Sequence, residues 1–136
     1  MNFYGNMYAV HFFGEEGKCS GMRIQMEKGW VNISNDVFTQ IAGAVATNCF
    51  GVKGMAGKNK EGIFQLLKRE SMSKGVVVKY GENNDLIIEL HIAVDQGINI
   101  AAICHEIQDE VSYKVEKATG IPVSRVDIYV DTMMLG

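Results

Sequence analysis

The 136-residue sequence lacks the features of several large protein classes. Its three cysteines, Cys19, Cys49 and Cys104, are odd in number, widely spaced and without a C-x-x-C pair. This pattern argues against a disulfide framework or a zinc knuckle and favours a reducing compartment. No apolar run reaches the ~18–20 residues that cross a bilayer, and the N-terminus lacks a basic start followed by an apolar core. We therefore expect any contact with a membrane to be peripheral.

Common catalytic motifs are also missing: the sequence has no P-loop, no G-x-S-x-G and no H-E-x-x-H. Cys104 and His105 are neighbours, but neighbours on a helix point about 100° apart, which favours a structural role for both. His105 and Asp109 are four residues apart and could bind a metal ion, but two ligands without others at suitable spacing would make only a weak site. His91 is expected on an exposed strand face, and His11 has no supporting context. We expect no catalytic residue, no metal and no cofactor.

What is present fits one globular domain. Hydrophobic residues make up 47% of the chain, and no proline-rich or serine-rich linker divides it, since Pro122 is the one proline. The charges are distributed unevenly along the sequence. Between positions 53 and 79 the chain has two acidic residues and seven basic ones: Lys53, Lys58, Lys60, Lys68, Arg69, Lys74 and Lys79. From Glu82 onward it has ten acidic residues and only three basic ones. We interpret this as two solvated faces of opposite charge, with electrostatic self-association or docking on an anionic partner as the alternative.

The strongest helix signal lies between Asn99 and Gly120. Asn99 is a suitable N-cap, Gly120 can adopt the left-handed conformation after the last turn, and Pro122 cannot continue the helix. The apolar residues between them recur at helical spacing: Ile100, Ile103, Cys104, Ile107, Val111, Val115 and Ala118. We expect this stripe to be buried against a sheet.

The other predicted elements flank this helix. A short strand over residues 30–33 precedes a helix that starts after Ser34 or Asn35, ends at Gly51 and has Val37, Phe38, Ile41, Ala44 and Val45 on its apolar side. Residues 58–74 are predicted to contain a short basic helix, residues 76–80 and 86–95 a hairpin, and residues 125–131 a final strand. The fold class is therefore α+β: a two-layer sandwich in the order β-α-(α)-β-β-α-β, a small mixed sheet with helices packed on one face.

Three segments are predicted along the chain. Residues 1–29 are rich in glycine and aromatic residues without a sustained period, and we interpret them as an irregular N-terminal arm or leader. Residues 30–131 form the domain, and residues 132–136 form a C-terminal tail.

A G-x-x-G pattern at Gly51-Val52-Lys53-Gly54 suggests a second function. Between two predicted helices, such a loop lets backbone and a lysine approach phosphates, as in KH domains that bind RNA. Lys58 and Lys60 would then add positive charge. The commoner explanation is a helix C-cap glycine followed by a turn.

Most of the chain resembles a known family. The pattern over residues 30–131 is similar to the alkaline-shock or general-stress family of Gram-positive bacteria, the envelope stress response proteins. Its most specific parts are Asp95-Gln96-Gly97, the helix with Ile103, Gln108 and Val111, the segment from Val115-Glu116 to Thr119-Gly120, and Val126-x-Ile128-x-Val130. The aromatic segment before Gly29 is foreign to the pattern, and no long charged tail follows Val130.

The resemblance implies an α+β fold and a cytoplasmic protein linked to the cell envelope. It also implies that some members self-associate or are held at the membrane by an anchored partner. It transfers no catalytic residues. We expect the interaction surface on the outward face of the sheet, at Ile87, Glu89, His91, Asp127 and Tyr129, where Ala93 would join Ile87 and Tyr129 in a modest apolar patch. An ordinary solvated face is the alternative.

Overall fold

The computed structural model describes residues 9–13, 21–58, 60–67, 74–81 and 83–135, the first range by its backbone only. The elements are β1 (Ala9–Phe13), β2 (Gly21–Met26), β3 (Gly29–Ser34), α1 (Asn35–Thr47), β4 (Val52–Lys58), β5 (Phe64–Leu66), β6 (Val76–Tyr80), β7 (Leu86–Asp95), α2 (Ile100–Thr119) and β8 (Val123–Met134). Strands and helices share one hydrophobic core. The predicted α+β class is confirmed.

Strand β7 is the centre of the larger sheet. On one side its first half pairs antiparallel with β6 and its second half with β4, while β8 runs parallel to it along the other side. The strand alternates as predicted, because Leu86, Ile88, Leu90, Ile92 and Val94 are all fully buried. The predicted hairpin and the final strand are both present, although β8 continues to Met134. The prediction that a C-terminal tail begins at residue 132 is therefore wrong, because residues 132–134 belong to β8.

Helix α2 packs its apolar stripe against this sheet. The side chain of Asn99 accepts a hydrogen bond from the amide of Ala102, and Gly120 has a φ of 77° and donates its N–H to the carbonyl of Glu116. The buried residues are Ile103, Ile107, Val111 and Val115. The predicted buried stripe is too long, because Ile100 and Ala118 in the terminal turns are exposed. Cys104, at the margin of the stripe, is half-buried.

Helix α1 covers β4 and β6 on the same side of the sheet and packs against α2. Its predicted apolar side is partly wrong: Phe38 is fully buried, but Val37 and Ala44 are exposed. The small residues Ala42, Gly43 and Ala46 are buried instead, together with Thr39. Small side chains let the helix approach its neighbours closely, so burial here does not follow side-chain size. The helix also ends at Thr47, before the predicted end at Gly51.

The predicted short helix within residues 58–74 is wrong for the part that the structure describes. Residues 64–66 form β5, an edge strand antiparallel to β4. Ile63, Phe64 and Leu67 have helical spacing, but three residues in a short segment do not separate a helix from a strand. Residues 68–73 lie outside the described residues.

The predicted irregular arm over residues 1–29 is also wrong where it is described. Strands β1, β2 and β3 form an antiparallel three-stranded sheet. Met22 and Ile24 of β2 are almost completely buried and belong to the core of the domain. Their alternation with the exposed Arg23 and Gln25 is a strand pattern that the surrounding glycines obscure. Residues 1–8 and 14–20 lie outside the described residues.

Candidate interaction surface

The structure brings the five predicted surface residues together. We call the side of β6, β7 and β8 opposite the two helices the open face. The strand register places Glu89 opposite Asp127 and His91 opposite Tyr129, with Ile87 one step further along β7. Four of the five side chains are half-buried, and Tyr129 is 46% exposed. Alternation along the strands produces this grouping, since every second residue points away from the helices.

His91 is held in place from two directions. Its ring stacks on the ring of Tyr129, with centroids 4.8 Å apart and an interplanar angle of 10°. Its Nδ1 lies 2.8 Å from Oδ2 of Asp131, a carboxylate whose side chain is only 13% exposed. Two contacts on one small ring fix its orientation. The imidazole therefore presents a defined edge at the surface of the open face.

Asp131 is absent from the five predicted surface residues, although alternation from Asp127 and Tyr129 directs it to the same side of β8, and it lies at a local irregularity of the strand. The register of β7 and β8 shifts between Ile92 and Ala93, whose partners are Val130 and Thr132, so that Asp131 is an extra residue in β8. Such a β-bulge re-aims one side chain relative to strict alternation. The sequence shows the alternation but no signal for the bulge.

The charges of the open face are paired with one another. Nζ of Lys79 lies 2.7 Å from Oε1 of Glu89, and Nε of Arg125 lies 3.1 Å from Oδ2 of Asp127. The hydrogen bond to Glu89 and the charge of that carboxylate raise the pKa of Lys79. Lys79 and Arg125 are also absent from the predicted surface. The contact of Lys79 with Glu89 depends on the register of β6 and β7, whereas Arg125 and Asp127 lie two residues apart on the same side of β8. Between these pairs, the apolar side chains of Val77 and Ile87 reach the surface.

The open face is limited to the first part of β7. Near the end of that strand the sheet curls, so that β5 also contacts β8. Ala93 points to the same side as His91 but is fully buried there, so the prediction that it belongs to an exposed apolar patch is wrong. The accessible surface is therefore built around Ile87, Glu89 and His91.

Cys104 and His105 do not form a joint site. Cys104 is half-buried at the margin of the apolar stripe of α2, and burial raises the pKa of its thiol. His105 is exposed on another side of the helix, where its Nε2 lies 3.5 Å from Oδ2 of Asp109. A thiolate is the nucleophilic form of cysteine, so burial makes Cys104 less reactive.

We expect the Cys104 thiol to react slowly with iodoacetamide in the native protein at pH 7. The rate should be at least about tenfold below that of the same thiol in the urea-unfolded chain, since less thiolate is present and access is restricted. Peptide mass spectrometry of timed samples measures this for each cysteine separately. Equal rates in both states would contradict the assignment of Cys104 to the packed side of the helix.

The predicted G-x-x-G loop is a strand. Val52, Lys53 and Gly54 belong to β4, and Nζ of Lys53 lies 3.4 Å from Oδ1 of Asp95 on the neighbouring strand β7. Lys58 is the last residue of the same strand. The prediction of a loop between two helices is therefore wrong, and the RNA-binding alternative loses the geometry on which it depended.

Gly51 has a packing role in the turn before β4. Its φ is 85°, and its carbonyl accepts the amide of Asp95. A Cβ at this position would lie 2.4 Å from Cδ1 of Ile103. A left-handed backbone and close contact with α2 both require glycine here.

The described residues contain neither a metal-binding cluster nor a membrane-spanning helix. No group of three or more histidine, cysteine, aspartate or glutamate residues among them is arranged to hold a metal ion. Within the same residues, no helix is long and apolar enough to span a membrane.

Comparison with known proteins agrees with the resemblance seen in the sequence. Residues 23–135 match the model of the alkaline shock protein 23 family, described as having a cell envelope-related function. The uncharacterized protein YloU of Bacillus subtilis is 36% identical over 111 residues, which cover 80% of this chain and 92% of that protein. The uncharacterized protein Spy1614 of Streptococcus pyogenes serotype M6 is 31% identical over 114 residues, 82% of this chain and 93% of that protein. No solved structure gives a significant match. The chain thus belongs to the alkaline shock protein family, whose function is related to the cell envelope.

Proposed function

We propose that this protein is a non-enzymatic interaction protein of the cytoplasm that acts in a cell envelope-related role. It works by self-association or by docking on a membrane-anchored partner, and the open face is the surface that makes the contact. Family membership supports the link to the envelope. The surface itself is argued from the geometry of the open face.

The observation that carries the proposal is the organised set of side chains around Tyr129. Tyr129 is 46% exposed while its ring stacks on His91, and His91 in turn contacts Asp131. Aromatic side chains are enriched in protein interfaces. Side chains that are already ordered lose less conformational entropy when a partner binds. The open face therefore meets two requirements of a docking surface.

A non-catalytic role is supported by the separation of the best candidate pair. Cys104 lies at the margin of the packed stripe of α2, whereas His105 contacts Asp109 in solvent. A nucleophile and its base need to be within hydrogen-bond distance of each other. On the open face, Glu89 and Asp127 are engaged by Lys79 and Arg125.

We expect Tyr129→Asp to abolish association through the open face. The substitution removes the stacked ring and adds a carboxylate near Asp127 and Asp131, which a partner surface would have to desolvate. Sedimentation velocity compares the variant with the wild type over a range of protein concentrations. Tyr113→Asp is the matched control, because Tyr113 is a similarly exposed tyrosine (58%) on α2, away from this face.

Docking on a membrane-anchored partner is tested with the wild type, Tyr129→Asp and Tyr113→Asp, each used as bait. Wild type and Tyr113→Asp should retain a membrane protein from detergent-solubilised membranes of the native bacterium, and Tyr129→Asp should lose it. If the wild type is monomeric and retains no membrane protein, the proposed function is rejected. If all three proteins associate and retain proteins equally, the open face is the wrong surface.

A further inference from the structure

Phe50 has the most exposed large apolar side chain among the described residues. It is 81% exposed in the turn between α1 and β4, outside the core and the side chains that pack against it in the described part of the chain. The backbone is fixed on both sides of this turn. The amide of Val52 donates to the carbonyl of Cys49 at 3.3 Å, and the carbonyl of Gly51 accepts from the amide of Asp95 at 2.9 Å. A ring on a fixed turn has little backbone entropy left to lose when a partner binds.

A cleft of about 450 Å³ lies beside this turn, between the end of α1 and strands β4 and β5. Its volume is within the range of ligand pockets, ~300–1,000 Å³. The apolar part of its lining comes from Ala44, Met55, Leu66 and Leu67. Both leucines are half-buried, so their side chains are accessible from the cleft. We call this space the α1 cleft.

Phe50 lies close to the α1 cleft without being one of its lining residues. Asn48 and Lys53, which precede and follow it in the chain, both belong to the lining. Consecutive Cα atoms are 3.80 Å apart, so the Cα atoms of Phe50 and Asn48 are within about 8 Å of each other. An unpacked aromatic ring and an accessible apolar cleft therefore lie side by side on one surface.

We propose that two copies of this chain pair at this end of the domain by exchanging Phe50, so that the ring of each copy fills the α1 cleft of the other. Pairing around a two-fold axis uses the same patch on both copies, and the assembly closes as a dimer with two identical contacts. The inference goes beyond the proposed function, because this patch lies at the end of β7, whereas the open face is limited to the first part of that strand.

Charge complementarity selects a second copy as the occupant. Lys53 is the one charged residue in the lining, so a suitable occupant has a negative charge beside an apolar group. The turn of Phe50 has this combination, because the next residue, Gly51, is hydrogen-bonded to Asp95. Lys53 and Asp95 lie 3.4 Å apart within one chain, with side chains 39% and 42% exposed. In the dimer, Lys53 is accessible both to its own Asp95 and to the partner's Asp95.

The polar groups of the α1 cleft favour an apolar ring over a small polar ligand. The hydroxyl of Thr47 lies 2.9 Å from the carbonyl of Gly43 and 3.0 Å from that of Ala44, so it donates to the backbone of its own helix. The ammonium group of Lys53 contacts Asp95. Small polar ligands are oriented by polar groups that point into a pocket. Two of the polar side chains here are engaged elsewhere, and the four apolar side chains remain for contact.

Removal of the ring is the first test. Phe50→Ala should weaken dimerisation by at least about a hundredfold in sedimentation equilibrium, because an aromatic anchor is lost from both contacts of the dimer. The melting temperature at low protein concentration should stay the same, since the side chain is exposed in the single chain. Tyr113→Ala is the matched control, because it removes an exposed aromatic side chain from α2 and should dimerise like the wild type.

Filling the cleft is the second test. Ala44 lines the α1 cleft from an exposed position of α1, where the helix tolerates a larger side chain. Ala44→Trp should therefore fold normally, occupy the cleft with its own indole and exclude the partner's Phe50. Its dimerisation should weaken about as much as that of Phe50→Ala. The melting temperature reports that the variant is folded.

An equimolar mixture of the two variants tests the exchange itself. Phe50→Ala has an empty cleft but no ring, whereas Ala44→Trp has the ring but no cleft. One of the two contacts can form in a dimer of the two variants, and neither can form in a dimer of one variant. The mixture should therefore associate at least about tenfold more tightly than either variant alone, and less tightly than the wild type.

Isotope-filtered NMR on the wild type tests the contact without a variant. In a mixture of labelled and unlabelled chains, the Phe50 ring should show NOEs to the methyl groups of Leu66 and Leu67 of the other copy. Their absence in a sample that sediments as a dimer would overturn the inference.

The sedimentation outcomes separate this inference from the proposed function. Weak association of both variants with recovery in the mixture supports the exchange, and Tyr129→Asp should keep this pairing because the open face is not used. A mixture as weak as its components, or variants that associate like the wild type, overturns the exchange. An open-ended series of larger species that Phe50→Ala abolishes overturns the two-fold closure. A wild type that is monomeric at all concentrations overturns the second copy as occupant: a membrane protein that it retains and Phe50→Ala loses would then be the occupant, while the Tyr129→Asp comparison still decides the role of the open face.

Discussion

Ile24→Ala should lower the free energy of unfolding by about 2–5 kcal/mol, the range for removing most of a buried isoleucine side chain. Ile24 is 1% exposed and lies in the same core cluster as Phe38. A domain of this size has a total stability of about 5–15 kcal/mol. The substitution therefore removes a large share of it. Urea unfolding monitored by far-UV circular dichroism gives the midpoint and the slope of the transition, and their product is the free energy of unfolding.

The control for this prediction is the neighbouring residue on the same strand. Arg23 points away from the core, and its guanidinium carbon lies 4.6 Å from the ring centroid of Trp30, which is 45% exposed. Arg23→Ala removes an exposed cation–π contact of about 0.5–1 kcal/mol. An Ile24→Ala variant no less stable than Arg23→Ala would mean that β2 is peripheral to the domain, as the sequence alone had suggested.

The elements predicted well share a strong local signal. Helix α2 has both caps and an apolar stripe, and β7 has ten alternating residues, so sequence periodicity alone specifies them. The N-terminal strands lack such length: β2 has six residues and depends on Met22 and Ile24, whose burial requires the core formed by distant parts of the chain. Short strands gain their stability from partners that a local pattern does not reveal.

The open face was predictable only in part, for a related reason. Alternation in β7 and β8 identifies which side chains point outward, and this was sufficient to group His91 with Tyr129. Contacts between strands depend on register, which the sequence does not state. The contacts of Lys79 with Glu89 and of Asp131 with His91 are therefore found only in the structure.

The misjudged G-x-x-G pattern shows the limit of short motifs. Gly51 and Gly54 have positive φ values of 85° and 159°, and each lies against a side chain that a Cβ would meet. Ile103 occupies that space at Gly51, and Leu66 occupies it at Gly54. Glycine is thus favoured at both positions by the backbone conformation and by close packing. The same residue type and spacing serve phosphate binding in one fold and close packing in another.

The placement of the helices explains why a surface, and not a pocket, is the proposed functional feature. Both helices cover one side of the sheet and share a continuous core with it. The other side keeps its polar residues accessible along the first part of β7. A two-layer arrangement of this kind leaves a broad sheet face for contacts with other chains.

Val111→Asp should leave the protein largely unfolded at pH 7, because it places an isolated carboxylate on the packed side of α2. Val111 is fully buried among apolar residues of the core. Burial without a charge partner disfavours the ionised form, so the pKa of the introduced carboxyl rises in the folded state. Its cost is therefore largest above that raised pKa and falls as the pH drops through it, when the neutral acid becomes the main form.

The matched control is Val111→Asn. The asparagine side chain has nearly the same shape as that of aspartate and also buries a polar group, but it does not ionise. It should lose about 1–3 kcal/mol plus the cost of the changed packing, at any pH between 5 and 8. The stability difference between the two variants should be several kcal/mol at pH 7 and should shrink toward pH 5. Urea midpoints across this pH range measure both quantities. A Val111→Asp variant as stable at pH 7 as the wild type would require water or a positive charge beside this residue, and α2 would then line a polar site where the fold otherwise provides only core.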